Sequence, residues 1–275
     1  MFLYIIILGV ETLTLLVYSL MSIAGAVITV LAANITPLWG ILLFFGFFMS
    51  FLIIHVLIIF IGSIFINPEK LPENNGFHRF MTLTTIDIML TGMRIHVKVN
   101  GREKLPHKPF VYVSNHLSVF DPMIAMLYLR KHKLAFVSKK ENIQIIGAGK
   151  FMLASGCTSL DRNNNRAAAK AILTAVENVT SGRNSMGIYP EGKSNLHPES
   201  VKLLPFHHGS FKVATKAKAP VVVAVISNTR KVFKQLFTHI DLDIVRVIEY
   251  DEYKDLTTGE LSSMVYDIML ENIKF

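Results

Sequence analysis

The first 66 residues of this 275-residue chain contain no lysine, no arginine and no aspartate. Their only charged side chain is Glu11, and their only histidine is His55. A cleavable signal peptide is not expected, because there is no basic leader and the apolar run is too long. Two apolar blocks remain, Leu13 to Ala33 and Leu38 to Ile66, joined by Asn34-Ile35-Thr36-Pro37, which reads as a tight turn. Each block is at least as long as the ~20 residues that cross a bilayer. Residues 1–66 therefore read as a transmembrane hairpin and residues 67–275 as a separate domain. Glu11 precedes the first block, where a carboxylate sits at the interface or, if buried, has a function. His55 lies deep in the second block and reads as a neutral ring bonded to the neighbouring helix.

Cysteine is nearly absent as well. Cys157 stands alone, which rules out an intramolecular disulfide and fits a reducing compartment. It lies among Ser155, Gly156 and Thr158, and a small structural thiol is the simplest reading. There are no internal repeats, no low-complexity tract and no aromatic–basic motif for nucleic acid. Gly-x-Ser-x-Gly, the sharp turn that presents a hydrolase serine, is also missing.

Positive charge, by contrast, is concentrated in one place. All 28 Lys and Arg lie after residue 66, against 19 of the 20 acidic residues. The resulting excess of +9 puts the soluble part on the cytoplasmic side, and with two crossings the N-terminus as well. A basic surface beside a bilayer attracts anionic lipid.

Asn67 to Pro72 forms a polar boundary. Residues 77–92 have a roughly helical apolar period, suited to core packing or to the membrane interface. Strands are expected at Arg94–Val99, Phe110–Ser114, Leu134–Ser138, Thr158–Leu160, Met186–Tyr189 and Val221–Ile226. Helices are expected at Pro122–Arg130, Asn142–Met152, Asn165–Thr180 and Ser210–Lys218. This alternation predicts an α/β sheet covered by helices.

The densest chemistry follows the second strand, in Ser114-Asn115-His116-Leu117-Ser118-Val119-Phe120-Asp121-Pro122. A histidine at a strand end, with a carboxylate five residues on, is the minimal kit for general-base catalysis. The same letters allow a plainer account. Asp121 before Pro122 makes a good N-cap, and His116 would then be an ordinary loop residue. Two further strand ends carry Arg162 and the run Pro190-Glu191-Gly192-Lys193-Ser194-Asn195. Leu204 to Phe211 leads through a helix into Ala219-Pro220-Val221.

Taken in order, these runs resemble the glycerolipid acyltransferases, specifically the 1-acylglycerol-3-phosphate acyltransferases. That family has an Asn-His-x-Ser-x-x-Asp block, a Gly-x-x-x-x-x-Arg block, a Pro-Glu-Gly-Thr-Arg-Ser block and an apolar block with a central Pro. They correspond here to Asn115–Asp121, Gly156–Arg162, Pro190–Asn195 and Ala219–Ile226. The resemblance spans about residues 95–250. The third block departs from the pattern, with Lys193 where the family has Thr, Ser194 where it has Arg, and Asn195 where it has Ser.

The resemblance implies a mixed sheet flanked by helices, like that of glycerol-3-phosphate acyltransferase. It implies that His116 is the general base and that Asp121 orients it. Arg162 and Lys193 would bind substrate phosphate, and N–H groups around Glu191 and Gly192 would face the oxyanion. No cofactor, metal or acyl-enzyme is required, and acyl-CoA or acyl carrier protein would be the co-substrate. The acceptor would be lysophosphatidic acid, with another lysolipid or glycerol 3-phosphate as the alternative. Two remoter readings are a serine lipase using Ser118 and a non-enzymatic tether to the bilayer. Nucleic acid is not expected as a partner.

Overall fold

The structure, a computed structural model, describes residues 13–34, 36, 38–68, 70, 76–161 and 164–273. Glu11 and Arg162 lie outside the described residues, as do Ile35 and Pro37 of the turn and residues 69 and 71–72 of the polar boundary.

The apolar blocks form two long helices, α1 (Leu13–Ala33) and α2 (Leu38–Phe65), packed on each other. Both are long and apolar enough to cross a membrane, yet only 11% and 6% of their apolar windows are buried. A core helix of a soluble domain would be mostly covered. Side chains such as Ile28, Leu31, Leu42 and Phe65 instead stand exposed and need an apolar surrounding.

Polar contacts tie this hairpin to α3 (Gly76–Gly92). The Tyr18 hydroxyl lies 3.0 Å from His55 Nδ1, and His55 Nε2 lies 2.9 Å from Thr85 Oγ1. The backbone N–H of Thr14 donates to Asp87 Oδ2 at 2.9 Å. His55 thus bonds to both neighbouring helices. Helix α3 buries Met81, Ile86 and Leu90 while exposing Phe77 and Phe80, so it serves the core along one side only.

The remaining chain builds a seven-stranded sheet in the order β1-β7-β6-β2-β5-β3-β4. The strands are β1 (Ile95–Asn100), β2 (Val111–Ser114), β3 (Ala135–Lys139), β4 (Thr158–Leu160), β5 (Met186–Ile188), β6 (Val221–Ile226) and β7 (Thr238–Ile248). From β6 to β4 every neighbour is parallel; β7 pairs antiparallel with β6 and parallel with β1, so β1 and β7 run opposite to the other five. The C-terminal ends of five strands therefore share one edge, where α/β sheets hold their ligands. Strands β2 and β6 are buried along their whole length, as unbroken apolar runs in a covered parallel sheet should be. Helix α7 (Asn165–Thr180) packs against β3, β4 and β5, and the C-terminal helix (Thr258–Asn272) against β6 and β7.

Three expectations need correction. The helix expected over Asn142–Met152 is two short helices, Lys140–Ile143 and Ala148–Ala154, broken at Gly147. Its φ of 77° is a conformation that only glycine adopts at little cost. The segment expected as a helix from Ser210 begins as a 3-10 turn, His208–Phe211, and becomes α-helical only at Lys212–Ala217. The helix expected from Pro122 starts earlier, as α4 (Phe120–Tyr128), with Val119 at the cap position. Asp121 is therefore inside the first turn and does not cap it. The structure also continues past Ile226 into β7 and the C-terminal helix, neither of which was expected.

Candidate active site

The site begins with a side chain that behaves like backbone. Asn115, one residue past β2, is 1% exposed. Its Oδ1 accepts the Ile226 N–H at 2.8 Å, and its Nδ2 donates to the Ile226 carbonyl at 3.0 Å. This pair extends the β2–β6 ladder while the main chain turns away. Leaving such buried groups unpaired would cost ~1–3 kcal/mol each. The next residue, His116, is thereby fixed at the C-terminal edge of the sheet.

The His116 ring is held from its own turn. Nδ1 lies 2.9 Å from Asp121 Oδ2, and that oxygen also accepts the N–H groups of Leu117 at 2.6 Å and Ser118 at 2.8 Å. Asp121 is fully buried. An oxygen already accepting two N–H groups makes Nδ1 the donor, which leaves Nε2 unprotonated in the neutral ring. Ser118 does not approach that nitrogen. Its Oγ donates to Asp121 Oδ1 at 3.3 Å and accepts the Phe120 N–H at 3.2 Å.

The third block folds over the ring from β5, the neighbouring strand. Tyr189 stacks on the imidazole with centroids 4.4 Å apart, and Phe136 stacks on Tyr189 at 5.3 Å. A turn then follows, with Pro190 second and Gly192 fourth. The Gly192 N–H donates to the Tyr189 carbonyl at 3.0 Å, and the positive φ of 72° explains the glycine. Beyond the turn, the Asn195 N–H donates to the His116 carbonyl at 2.7 Å. Ser194 Oγ lies 3.1 Å from His116 Nε2.

Glu191 braces this assembly from beneath. One carboxylate oxygen accepts the His116 N–H at 2.6 Å, and the other accepts the Leu204 N–H at 2.9 Å. The side chain is buried, and burial pushes its carboxyl up to about 7 against the pull of those two donors.

The structure therefore gathers His116, Asp121, Glu191 and Gly192 at one edge, with Lys193 exposed beside them. Glu191 and the Gly192 N–H are committed to holding the turn. Arg162 lies outside the described residues; its neighbour Asp161 leaves β4, on the same edge but beyond β3. Sequence reasoning missed three contributors. Ser194 and Tyr189 contact the ring, and Arg230 Nη1 donates to the Asn195 carbonyl at 3.1 Å. Only Tyr189 carried a signal, as an aromatic residue at a strand end beside the third block. A cavity of about 1030 Å3 lies further along the edge, among Phe60, Ile64, Ile146, Lys140, Lys150 and Lys170. His116 is not part of its wall. Among the described residues, no three His, Cys, Asp or Glu side chains are grouped to hold a metal ion.

This arrangement can take a proton from a hydroxyl at Nε2 and stabilise the imidazolium that results. A family model described as Acyltransferase matches residues 96–227. The 1-acyl-sn-glycerol-3-phosphate acyltransferase of Saccharomyces cerevisiae is 30% identical over 193 residues, 68% of this chain and 63% of that protein. The human 1-acyl-sn-glycerol-3-phosphate acyltransferase beta is 27% identical over 177 residues, 63% of this chain and 62% of that protein. The chain thus spans slightly under two thirds of the length of these relatives. The crystal structure of the 1-acyl-sn-glycerophosphate (LPA) acyltransferase PlsC from Thermotoga maritima shares the fold, with a TM-score of 0.58 at 19% identity, covering 94% of this chain and 95% of that one. With the His116 and Glu191 blocks brought together at one sheet edge and the family's model matched across all four, this chain belongs to the acyltransferase family.

Proposed function

We propose that this chain moves an acyl chain from a thioester donor, acyl-CoA or acyl carrier protein, to the sn-2 hydroxyl of lysophosphatidic acid, giving phosphatidic acid. The observation that carries the reading is the His116–Asp121 pair, 2.9 Å apart, with the ring's other nitrogen turned away from the carboxylate. The two relatives named above carry this activity in their names.

In this mechanism His116 Nε2 removes the proton of the acceptor hydroxyl as the oxygen attacks the thioester carbonyl. Asp121 holds the tautomer and stabilises the imidazolium. The flat face of Tyr189 adds to that stabilisation, since cations are attracted to aromatic faces. Nδ1 keeps its proton throughout, and Nε2 returns the transferred proton to the leaving thiolate, which departs as the thiol. Arg162 and Lys193 meet the acceptor's phosphate, and Arg230 adds a third cation beside the same turn. Helices α1 and α2 span the bilayer and the sheet lies on the cytoplasmic side, so that lipid acceptor and product exchange with the membrane.

Acylation of another lysolipid or of glycerol 3-phosphate is kept as a second reading, because Ser194 stands where the family's arginine would meet phosphate. Purified full-length chain should be assayed with lysophosphatidic acid, neutral and zwitterionic lysolipids and glycerol 3-phosphate, each with palmitoyl-CoA and palmitoyl-acyl carrier protein. Product from lysophosphatidic acid that disappears in His116→Ala is the expected result. Equal turnover of a neutral lysolipid would overturn the assignment of the acceptor.

A further inference from the structure

The stretch between β6 and β7 carries chemistry that the proposed reaction does not use. From Asn228 to Phe237 it reads Asn-Thr-Arg-Lys-Val-Phe-Lys-Gln-Leu-Phe, with three cations and no acidic residue. Val232 is buried and pins the loop, while Phe233, Leu236 and Phe237 stand exposed, Phe233 at 80%. Arg230 turns inward to the Asn195 carbonyl, whereas Lys231 and Lys234 are exposed beside the apolar side chains. Single exposed apolar residues are ordinary, but three so close together make a patch that needs an apolar surrounding. The fold holds them in place. The Phe233 ring tilts against Phe120 with centroids 5.5 Å apart, and the Arg94 guanidinium lies 6.0 Å from the centroid of Phe237.

The place of this loop in the fold points to what covers it. Strand β6 ends, and β7 begins, at the sheet edge that carries His116. Phe120 follows the His116 turn, and Val119 of that turn is exposed as well. Arg94 joins α3 to β1, and α3 is the helix bonded to the hairpin through Thr85 and Asp87. At the other end of the edge, past β3, Ile145 and Ile146 are exposed next to Gly147, which packs on Ile59 and Phe60 of α2. Exposed apolar side chains therefore stand on both sides of the catalytic turn, and both sets adjoin elements that touch the hairpin.

We propose that residues 228–237 form a second membrane contact, separate from the hairpin. Phe233, Leu236 and Phe237 enter the boundary between headgroups and acyl chains, and Lys231, Lys234 and Arg94 meet anionic lipid. Lysines beside exposed Phe and Leu are the composition of a segment that lies in that boundary. The contact holds the active-site edge against the leaflet, so that a lipid acceptor reaches His116 without crossing water. It rests on the reading of α1 and α2 as membrane helices and adds to it how the sheet is turned toward the bilayer. An acidic donor protein would also suit the lysines, but the continuity of the patch with the foot of the hairpin favours lipid.

Trp39, in α2, is the chain's only tryptophan. Phe233→Trp combined with Trp39→Phe therefore puts a single indole in the loop. Full-length chain should be reconstituted in phosphatidylcholine–phosphatidylglycerol vesicles, with and without lipids brominated on their acyl chains. The expected result is blue-shifted emission from the loop, quenched most by lipids brominated near the headgroup. In the wild type the same lipids report on Trp39, so the hairpin and the loop are tested separately, and neither measurement needs turnover. Phe233→Asp with Leu236→Asp should raise KM for long-chain lysophosphatidic acid in these vesicles severalfold. Its kcat/KM for a water-soluble, short-chain lysophosphatidic acid should equal that of the wild type, which also shows that the altered chain folds. An unquenched indole in the loop would overturn the inference whatever Trp39 shows. So would a vesicle KM unchanged in the double variant, or emission that shifts only when acyl carrier protein is added, which would assign the loop to the donor.

Discussion

The imidazole of His116 lies almost flat on the ring of Tyr189, with centroids 4.4 Å apart and planes 21° apart. The contact fixes the ring's plane and sets an aromatic face against the imidazolium formed during turnover. The Tyr189 hydroxyl, however, is buried and has no hydrogen-bond partner among the described residues. Burying a hydroxyl in that way costs ~1–3 kcal/mol. Tyr189→Phe should therefore keep the stack and the activity, with a melting temperature equal to or above wild type. Tyr189→Leu should lower kcat roughly three- to thirtyfold, since a cation on an aromatic face is worth ~0.5–2 kcal/mol. Equal kcat in all three proteins would mean that the ring only fills space.

Asp121→Asn tests the carboxylate separately from its shape. The amide oxygen can still accept the N–H groups of Leu117 and Ser118, so the turn should persist. What disappears is the negative charge beside the imidazolium. The expected outcome is a fall in kcat of roughly 10²–10⁴. Charge-assisted hydrogen bonds exceed neutral ones by ~1 kcal/mol, so the melting temperature should drop by a few degrees at most. A large loss of stability with unchanged kcat per folded molecule would assign Asp121 to structure alone.

Glu191 makes stability depend on pH in an unusual direction. Its carboxyl is raised from 4.5 to about 7 in the folded chain. Between those values the folded state keeps a proton that the unfolded state has released. The contribution of Glu191 therefore favours folding below about 4.5 and is lost as pH rises through 7. Glu191→Gln cannot titrate, so its melting temperature should fall less than that of wild type between pH 5 and pH 7.5. It should also be lower overall at pH 5, because one of the His116 and Leu204 N–H groups then faces an amide NH2. Parallel curves for the two proteins would show that Glu191 titrates as an ordinary surface glutamate does.

Much of this architecture was legible because single local signals were strong. Helix α7 has the bounds that its period indicates, and Asn164 caps it by accepting the N–H groups of Arg166 and Ala167. Strand β6 is one apolar run between Pro220 and a polar turn. Strand β7 was missed although Ile240, Leu242 and Ile244 alternate with exposed or half-exposed neighbours, as antiparallel strands do. The break at Gly147 depends on a positive φ that a helical period does not reveal. In the site, His116 and Asp121 are close in sequence and their pairing could be anticipated. Ser194 lies 78 residues from His116, and only the parallel pairing of β2 with β5 and the turn at Gly192 bring it to Nε2. Asp121 was given a capping alternative because Asp-Pro is a frequent helix start. The helix instead begins two residues earlier, and the carboxylate points back into the turn before it.

The altered third block yields the last prediction. Recognition of a phosphomonoester needs fixed positive charge, and this chain has Ser194 where the family has arginine. Charge must then come from elsewhere. Lys193 stands exposed one position earlier, and Arg230 already reaches the Asn195 carbonyl from the turn after β6. Arg162 follows Asp161, which leaves β4 on the same sheet edge. Arginine offers a planar fork that matches phosphate, whereas lysine offers a point charge. Arg162→Ala should therefore raise KM for lysophosphatidic acid at least tenfold with little change in KM for the acyl donor. Lys193→Ala should raise it only a few-fold, and high salt should shrink that effect further because the side chain is exposed. Arg230→Lys retains the charge but loses the fork, so it separates phosphate contact from support of the turn. If the turn is what matters, kcat should fall with KM unchanged. If Arg162→Ala and Lys193→Ala both leave the acceptor KM at the wild-type value, a phosphomonoester is not what these side chains recognise.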